Sequence, residues 1–202
     1  MGGSMKAEDA AEVMDQEGSD NQFKRKAAIV IAFLAMLLAI TGLGGNNATK
    51  EALNENIQAA NAFNFFQAKN IRQTSLVLAA DQFELAWAND TSLPENVREG
   101  LRKKIADYKR TIARYESEPE TGEGKKELIV QARAHEAKRD HALKQDPYFD
   151  YAEALLQIAI VLVSVAIVAD QRWLAWLAGG VGVIGGFLML NGYLLFVTIP
   201  GF

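Results

Sequence analysis

The chain has 202 residues, 25 acids against 21 bases for a formal charge of −4, two histidines and no cysteine. The lack of cysteine excludes disulfides, thiolate metal sites and cysteine nucleophiles. A mild acidity with only short basic clusters argues against a nucleic-acid partner.

Residues 1–26 carry Glu8, Asp9, Glu12, Asp15, Glu17 and Asp20 ahead of Lys24, Arg25 and Lys26. Many acids and few aromatics predict a disordered tail, closed by a basic juxtamembrane cluster. The opening Met1-Gly2 is not a myristoylation signal, because Lys6 stands where Ser or Thr is required. The next apolar run, 27–43, is expected to be an uncleaved anchor, transmembrane helix 1 over 27–45, and not a signal-peptide core. The tail ahead of it is long and acidic, and no small-x-small cleavage site follows. "GLGGNN" (42–47) is expected to break that span from what comes next.

Residues 46–146 read as an extramembrane helical hairpin. From 48 to 89 there is neither proline nor glycine, and alanine is abundant. That predicts one helix of about 60 Å. It carries two apolar stripes: Leu53, Ile57, Ala60, Ile71, Leu78 and Leu85 on one side, and Ala59, Phe63, Phe66, Val77, Ala80 and Trp87 on the other. A helix apolar on two faces is expected to lie between neighbours. "NDTSLPEN" ends it. Ser92 and Glu95 form a capping-box pattern, and Pro94 suits the first turn of the next helix. Leu101, Ile105, Tyr108, Ile112 and Tyr115 then recur at helical spacing up to the interruption "SEPETGEG". Helix resumes until Asp146-Pro147, where Asp146 is expected to cap a new helix. The later two helices add up to about 65 Å, close to the outgoing one. A hairpin standing on the membrane with a broken return arm is preferred to a bent helix beside a small three-helix bundle.

Two further spans follow, 147–169 and 173–199, joined by a turn at 170–172. Each approaches the roughly 20 apolar residues that cross about 30 Å of hydrocarbon. The fold class is therefore an all-α membrane protein with three transmembrane helices and a coiled-coil-like hairpin between the first and second. The basic residues at 24–26 and Arg172 flank short segments, which places the N-terminus in the cytoplasm and residues 46–150 on the far side.

Candidate sites are few. Asp146, Asp150, Glu153, Gln157 and Ser164 fall within roughly 60° of one another on a helical projection. This polar stripe is expected to form either dry interhelical hydrogen bonds or, around an oligomer axis, an acidic pore mouth. Ala178, Gly182 and Gly186 make a small-xxx-small series that suits either oligomer contact or packing on this chain's own spans. Asn191, deep in the third span, is expected to bond across helices. Lys69 and Arg72 stand at i, i+3 on a helix otherwise poor in charge. They are expected to meet the return arm, a second subunit or an anionic group. His135-Glu136 begins like a zincin motif, but Arg139 occupies the fifth position, and His141 lies about 240° away around the helix. No metal, cofactor or catalytic constellation is expected.

"NIQAANAFNFFQAKNIRQTSL", "AKRDHALKQDPYFDYAEALLQIAIVL" and "RWLAWLAGGVGVIGGFLMLNGYLL" resemble the blocks of a bacterial membrane family, the domain of unknown function 4337. Asp146-Pro147 is a small departure from its pattern. The resemblance covers most of 27–195 and implies a multi-pass protein of the bacterial inner membrane, with 46–150 periplasmic; it carries over no established activity and leaves the function open. The expected function is a non-enzymatic homo-oligomeric scaffold or accessory assembly, with membrane lipids and a larger membrane complex as candidate partners. The alternative is an oligomeric cation-selective pore or transporter.

Overall fold

The computed structural model describes the backbone of residues 7–89 and 94–198, and side chains over 20–88 and 94–198. Four helices account for nearly all of it: α1 (Ala7–Asn89), α2 (Glu95–Glu116), α3 (Lys125–Val168) and α4 (Arg172–Leu194). No strand occurs among the described residues. The chain divides into two compact units, residues 51–141 and the two flanking stretches together.

The flanking stretches bring together the first part of α1, the last part of α3 and α4. Arg172 reaches Asp20 at 3.1 Å, and the Tyr193 hydroxyl donates to the Ile40 carbonyl at 3.0 Å, so α1 and α4 run parallel. α3 runs against both, with Val163 in the same cluster as Ala27, while Asp146 accepts from the Thr49 hydroxyl at 2.9 Å. The core is small-residued: Ala27, Ala152, Ala159, Ala166 and Ala178 are buried beside Leu34, Leu156 and Val163. Small residues let helix backbones approach closely, as they do where the hydrophobic effect does not drive association. The outer surface is the reverse. Ile29 is 70% exposed and Val183 73%. Three helices are long and apolar enough to cross a membrane, and such a surface does not suit water.

The unit 51–141 is an antiparallel helical hairpin. α2 covers the far part of the outgoing arm, through Phe83 on Tyr108 and the ion pair of Lys109 with Glu84. The start of α3 covers the near part, where His135 meets Glu55 and Arg139 meets Asn56. The return arm is interrupted between Ser117 and Gly124, as "SEPETGEG" predicts. Ala59 and Ala80 of one apolar stripe are buried, with Phe63 and Phe66 half-buried. The other stripe is not covered: Leu53, Ile57, Ile71, Leu78 and Leu85 remain 57–66% exposed.

Several expected boundaries move. The acidic stretch predicted as disordered is helical from Ala7. It holds no proline and several strong helix formers, and extending an existing helix avoids the cost of a new nucleus. Nor does "GLGGNN" break anything, for α1 passes through it. Each glycine costs about 1 kcal/mol against alanine, too little to outweigh packing. Asp146 does not cap a new helix, because α3 is continuous with Pro147 inside it. Burial of Tyr148 and Phe149 directly afterwards holds the helix together despite a local penalty of about 3 kcal/mol. Pro94 precedes α2 as its N-cap, its carbonyl accepting from Val97 and Arg98, instead of sitting in the first turn. Ser92 of the expected capping box lies outside the described residues. The turn between α3 and α4 closes through left-handed Asp170 (φ 53°) and a Gln171 N–H to Ala166 carbonyl bond of 3.1 Å, so Arg172 is already helical.

Candidate functional site

The polar stripe of α3 divides by depth. At its start Asp146 is half-buried and bound to Thr49, and Asp150 is exposed. One turn on, half-buried Glu153 lies opposite Gly42 of α1, where a Cβ would stand 3.9 Å from its Oε2. Gln157 is exposed and donates to Glu153 Oε1 at 3.1 Å, a pairing along one helix face. Ser164 is exposed and donates to the Ile160 carbonyl of its own helix at 2.8 Å. Asp146 thus bonds across to α1, whereas the side-chain bonds of Gln157 and Ser164 stay within α3. The stripe's deeper members satisfy a donor locally and face outward.

Beside the stripe is a packing knot that polarity alone does not reveal. Phe149 is 2% exposed and wedged between two helices at glycines. A Cβ at Gly44 would lie 2.8 Å from Phe149 Cζ and from the Tyr193 hydroxyl, and one at Gly192 would lie 2.9 Å from Phe149 Cε1. Phe149 and Tyr193 meet edge to face at 4.8 Å, a favoured aromatic geometry. The signal in the sequence was the coincidence of Gly44-Gly45 and Gly192 with one aromatic. It is invisible until the three helices are superposed.

The small-residue series turns inward onto this chain's own spans, one of its two expected uses. Ala178 and Gly182 are buried, and a Cβ at Gly182 would press on Leu34 at 2.8 Å. Gly186 faces Leu37 of the same chain at 3.9 Å. α1 needs the close approach and takes this face of α4. Asn191 does not bond across helices either. Its amide donates to the Val197 carbonyl at 2.8 Å and its oxygen accepts from the Val197 N–H at 2.9 Å. With Leu195 left-handed at φ 47°, this closes the end of α4 at Leu194, five residues before the expected limit of 199. The reason is physical: the buried amide meets its donor and its acceptor needs at once on the backbone of one residue.

In the hairpin, Lys69 and Arg72 part company. Lys69 is buried, with Glu123 at 3.5 Å and Glu118 at 3.9 Å, and it lies over the rings of Phe65 and Tyr115. It is thus held by the return arm, one of the expected partners. Arg72 is exposed. His135 is bound to Glu55 at 2.5 Å, which gives it a structural partner on the outgoing arm. At the interruption of the return arm the Glu127 carboxylate accepts from the Ser117 hydroxyl at 2.6 Å and the Glu118 N–H at 3.0 Å, which holds its pKa below the ordinary value. Glu116 is lowered as well, first by the Gln73 amide and then by Lys125. Both lie outside the apolar spans. Among the described residues no group of three or more acids and histidines is gathered as metal ligands are.

A family model described as a domain of unknown function (DUF4337) matches residues 23–195. No curated protein and no solved structure matches the chain.

Proposed function

The chain belongs to the DUF4337 family, a domain of unknown function, and we propose that it is a non-enzymatic, multi-pass membrane protein whose copies assemble into a homo-oligomeric scaffold. The observation that carries this reading is the uncovered stripe of α1. Ile57, Ile71, Leu78 and Leu85 stand at multiples of seven residues, with exposed Asn64 in the remaining place and Leu53 four residues before Ile57. An exposed apolar residue every seven positions supplies one of the two seam positions of a coiled coil, and a single polar residue there sets register. Spans insert every copy in the same direction, so two seams meet in parallel and each residue faces its own counterpart. The basic cluster at 24–26 argues for a cytoplasmic N-terminus, with the hairpin outside the bilayer on the opposite side.

The natural chain has no cysteine, so a single introduced one reports cleanly. Ile71→Cys and Leu78→Cys are expected to form disulfide-linked dimers in membranes, while exposed Lys138→Cys is not. Native mass spectrometry should give one closed homo-oligomer. A monomer, or a complex only with another protein, together with no cross-link at either seam position, would falsify this reading.

The outward-facing Gln157 and Ser164 favour a second reading, a cation-selective pore with Asp150 and Glu153 at its mouth. Rings of carboxylates favour cations. Conductance in planar bilayers that Glu153→Gln reduces supports the pore, and silent bilayers dismiss it.

A further inference from the structure

A groove of about 400 Å³ opens between the start of α1, the end of α3 and the start of α4. Its rim carries two cations, Lys26 and Arg172, with Phe23 and Trp176 beside them. Its walls are Val30, Val163, Ala175 and Gly179. Lys26 directly precedes the apolar run, and Arg172 is the first residue of α4. Val30 lies about 6 Å along its helix from Lys26, and Gly179 about 10 Å from Arg172. Charge therefore sits at one end and a wholly apolar trough continues from it along the spans. Trp176 is 84% exposed, an amphipathic ring of the kind enriched at membrane interfaces.

From this juxtaposition we propose that the groove binds an anionic phospholipid, headgroup phosphate on Lys26 and Arg172 and one acyl chain along Val30, Val163 and Gly179. The proposal rests on the membrane reading above. Asp20 already pairs with Arg172 and offsets part of its charge. Lys26 has no ion-pair partner among the described residues, and Lys24 and Arg25 add to the local positive field. A soluble anion fits this place poorly, because most of the groove offers it nothing but hydrocarbon. Gly179 keeps the trough open: a Cβ there would meet nothing within 4 Å. A side chain there starts without a clash and extends into the trough a ligand would occupy.

The experiment uses the full chain with Trp87→Phe and Trp173→Phe, which leaves Trp176 as the sole tryptophan, in phosphatidylcholine vesicles. Quenching by phosphatidylglycerol with brominated chains is compared with quenching by brominated phosphatidylcholine. The anionic lipid is expected to quench at a lower mole fraction. Lys26→Gln should reduce that preference roughly five-fold, the worth of one lysine at an anionic surface. Gly179→Leu, which keeps every charge, should abolish it while leaving helicity and melting unchanged. Added inorganic phosphate should not restore fluorescence. Equal quenching by the two lipids overturns the site, as does a preference that survives Gly179→Leu, which reports only surface attraction to the basic cluster. Displacement by phosphate shows a soluble-anion site and overturns it too. No quenching by either lipid instead overturns the membrane reading on which the site rests.

Discussion

At Gly44 the space for a side chain is already filled by Phe149 and the Tyr193 hydroxyl. Gly44→Val is therefore expected to lower the thermal midpoint of the detergent-extracted protein, followed by loss of the monodisperse species on heating. Gly180→Val, where a Cβ would meet nothing within 4 Å, should cost far less. Equal losses would mean that helix propensity, and not the aromatic wedge, sets the need for glycine. Lys69 supports a second contrast. Its side chain is only 6% exposed between Glu118 and Glu123, though Glu123 is itself 55% exposed. Lys69→Met keeps most of the packing under Phe65 and Tyr115 but removes the cation from both acids; Glu118 keeps Arg114 at 3.8 Å and Glu123 turns readily to water. A loss of about 1–2 kcal/mol follows, below the figure for a fully buried pair. Residue-level reading of the sequence went furthest where one residue type had one dominant use, as with Lys69 on a charge-poor helix. It went astray at Gly44 and Asn191, whose uses are set by atoms remote in sequence or by a helix end that hydropathy does not mark.

Among the elements, the hairpin explains which patterns are legible. An unbroken run without glycine or proline from 48 to 89, followed by two helical periods of similar total length, encodes an antiparallel pairing in local terms alone. Junctions are different, because tertiary packing decides them: α1 crosses Gly42, Gly44 and Gly45, and α3 crosses Pro147, where isolated segments would stop. The interruption of the return arm carries its own pH dependence. Glu116 and Glu127 have folded pKa values below the unfolded value of 4.5. Their contribution is then complete above that value and is lost as pH falls through the lower folded values. Cooperative melting of the hairpin, read by circular dichroism, should be flat from neutrality down to about pH 5 and fall below pH 4.5. Replacing both residues by glutamine should flatten the acid limb. An unchanged limb would assign the acid sensitivity to other carboxylates.

At the scale of the whole molecule, the apolar surface sorts into two kinds that need different solvents. The outer faces of the three spans suit lipid, which asks for no particular partner. The stripe on α1 from Leu53 to Leu85 lies in a segment whose acids and bases are Glu55, Lys69, Arg72, Asp81 and Glu84, and its regular spacing is what the proposed pairing with a second copy rests on. In the proposed assembly Asn64 lies in the seam. A polar residue in the seam lowers stability but restricts the number of strands and their register, because an amide pairs well in one arrangement and poorly in others. Asn64→Ile should therefore strengthen the assembly while loosening its uniqueness. Native mass spectra of the variant are expected to show complexes that resist dissociation at lower protein concentration, and more than one stoichiometry in place of a single species. Cross-linking through Ile71→Cys should persist, since its position in the repeat is unchanged. A variant that keeps one stoichiometry and gains no stability would place Asn64 outside the contact, and the seam would then have to be sought on another face of the hairpin.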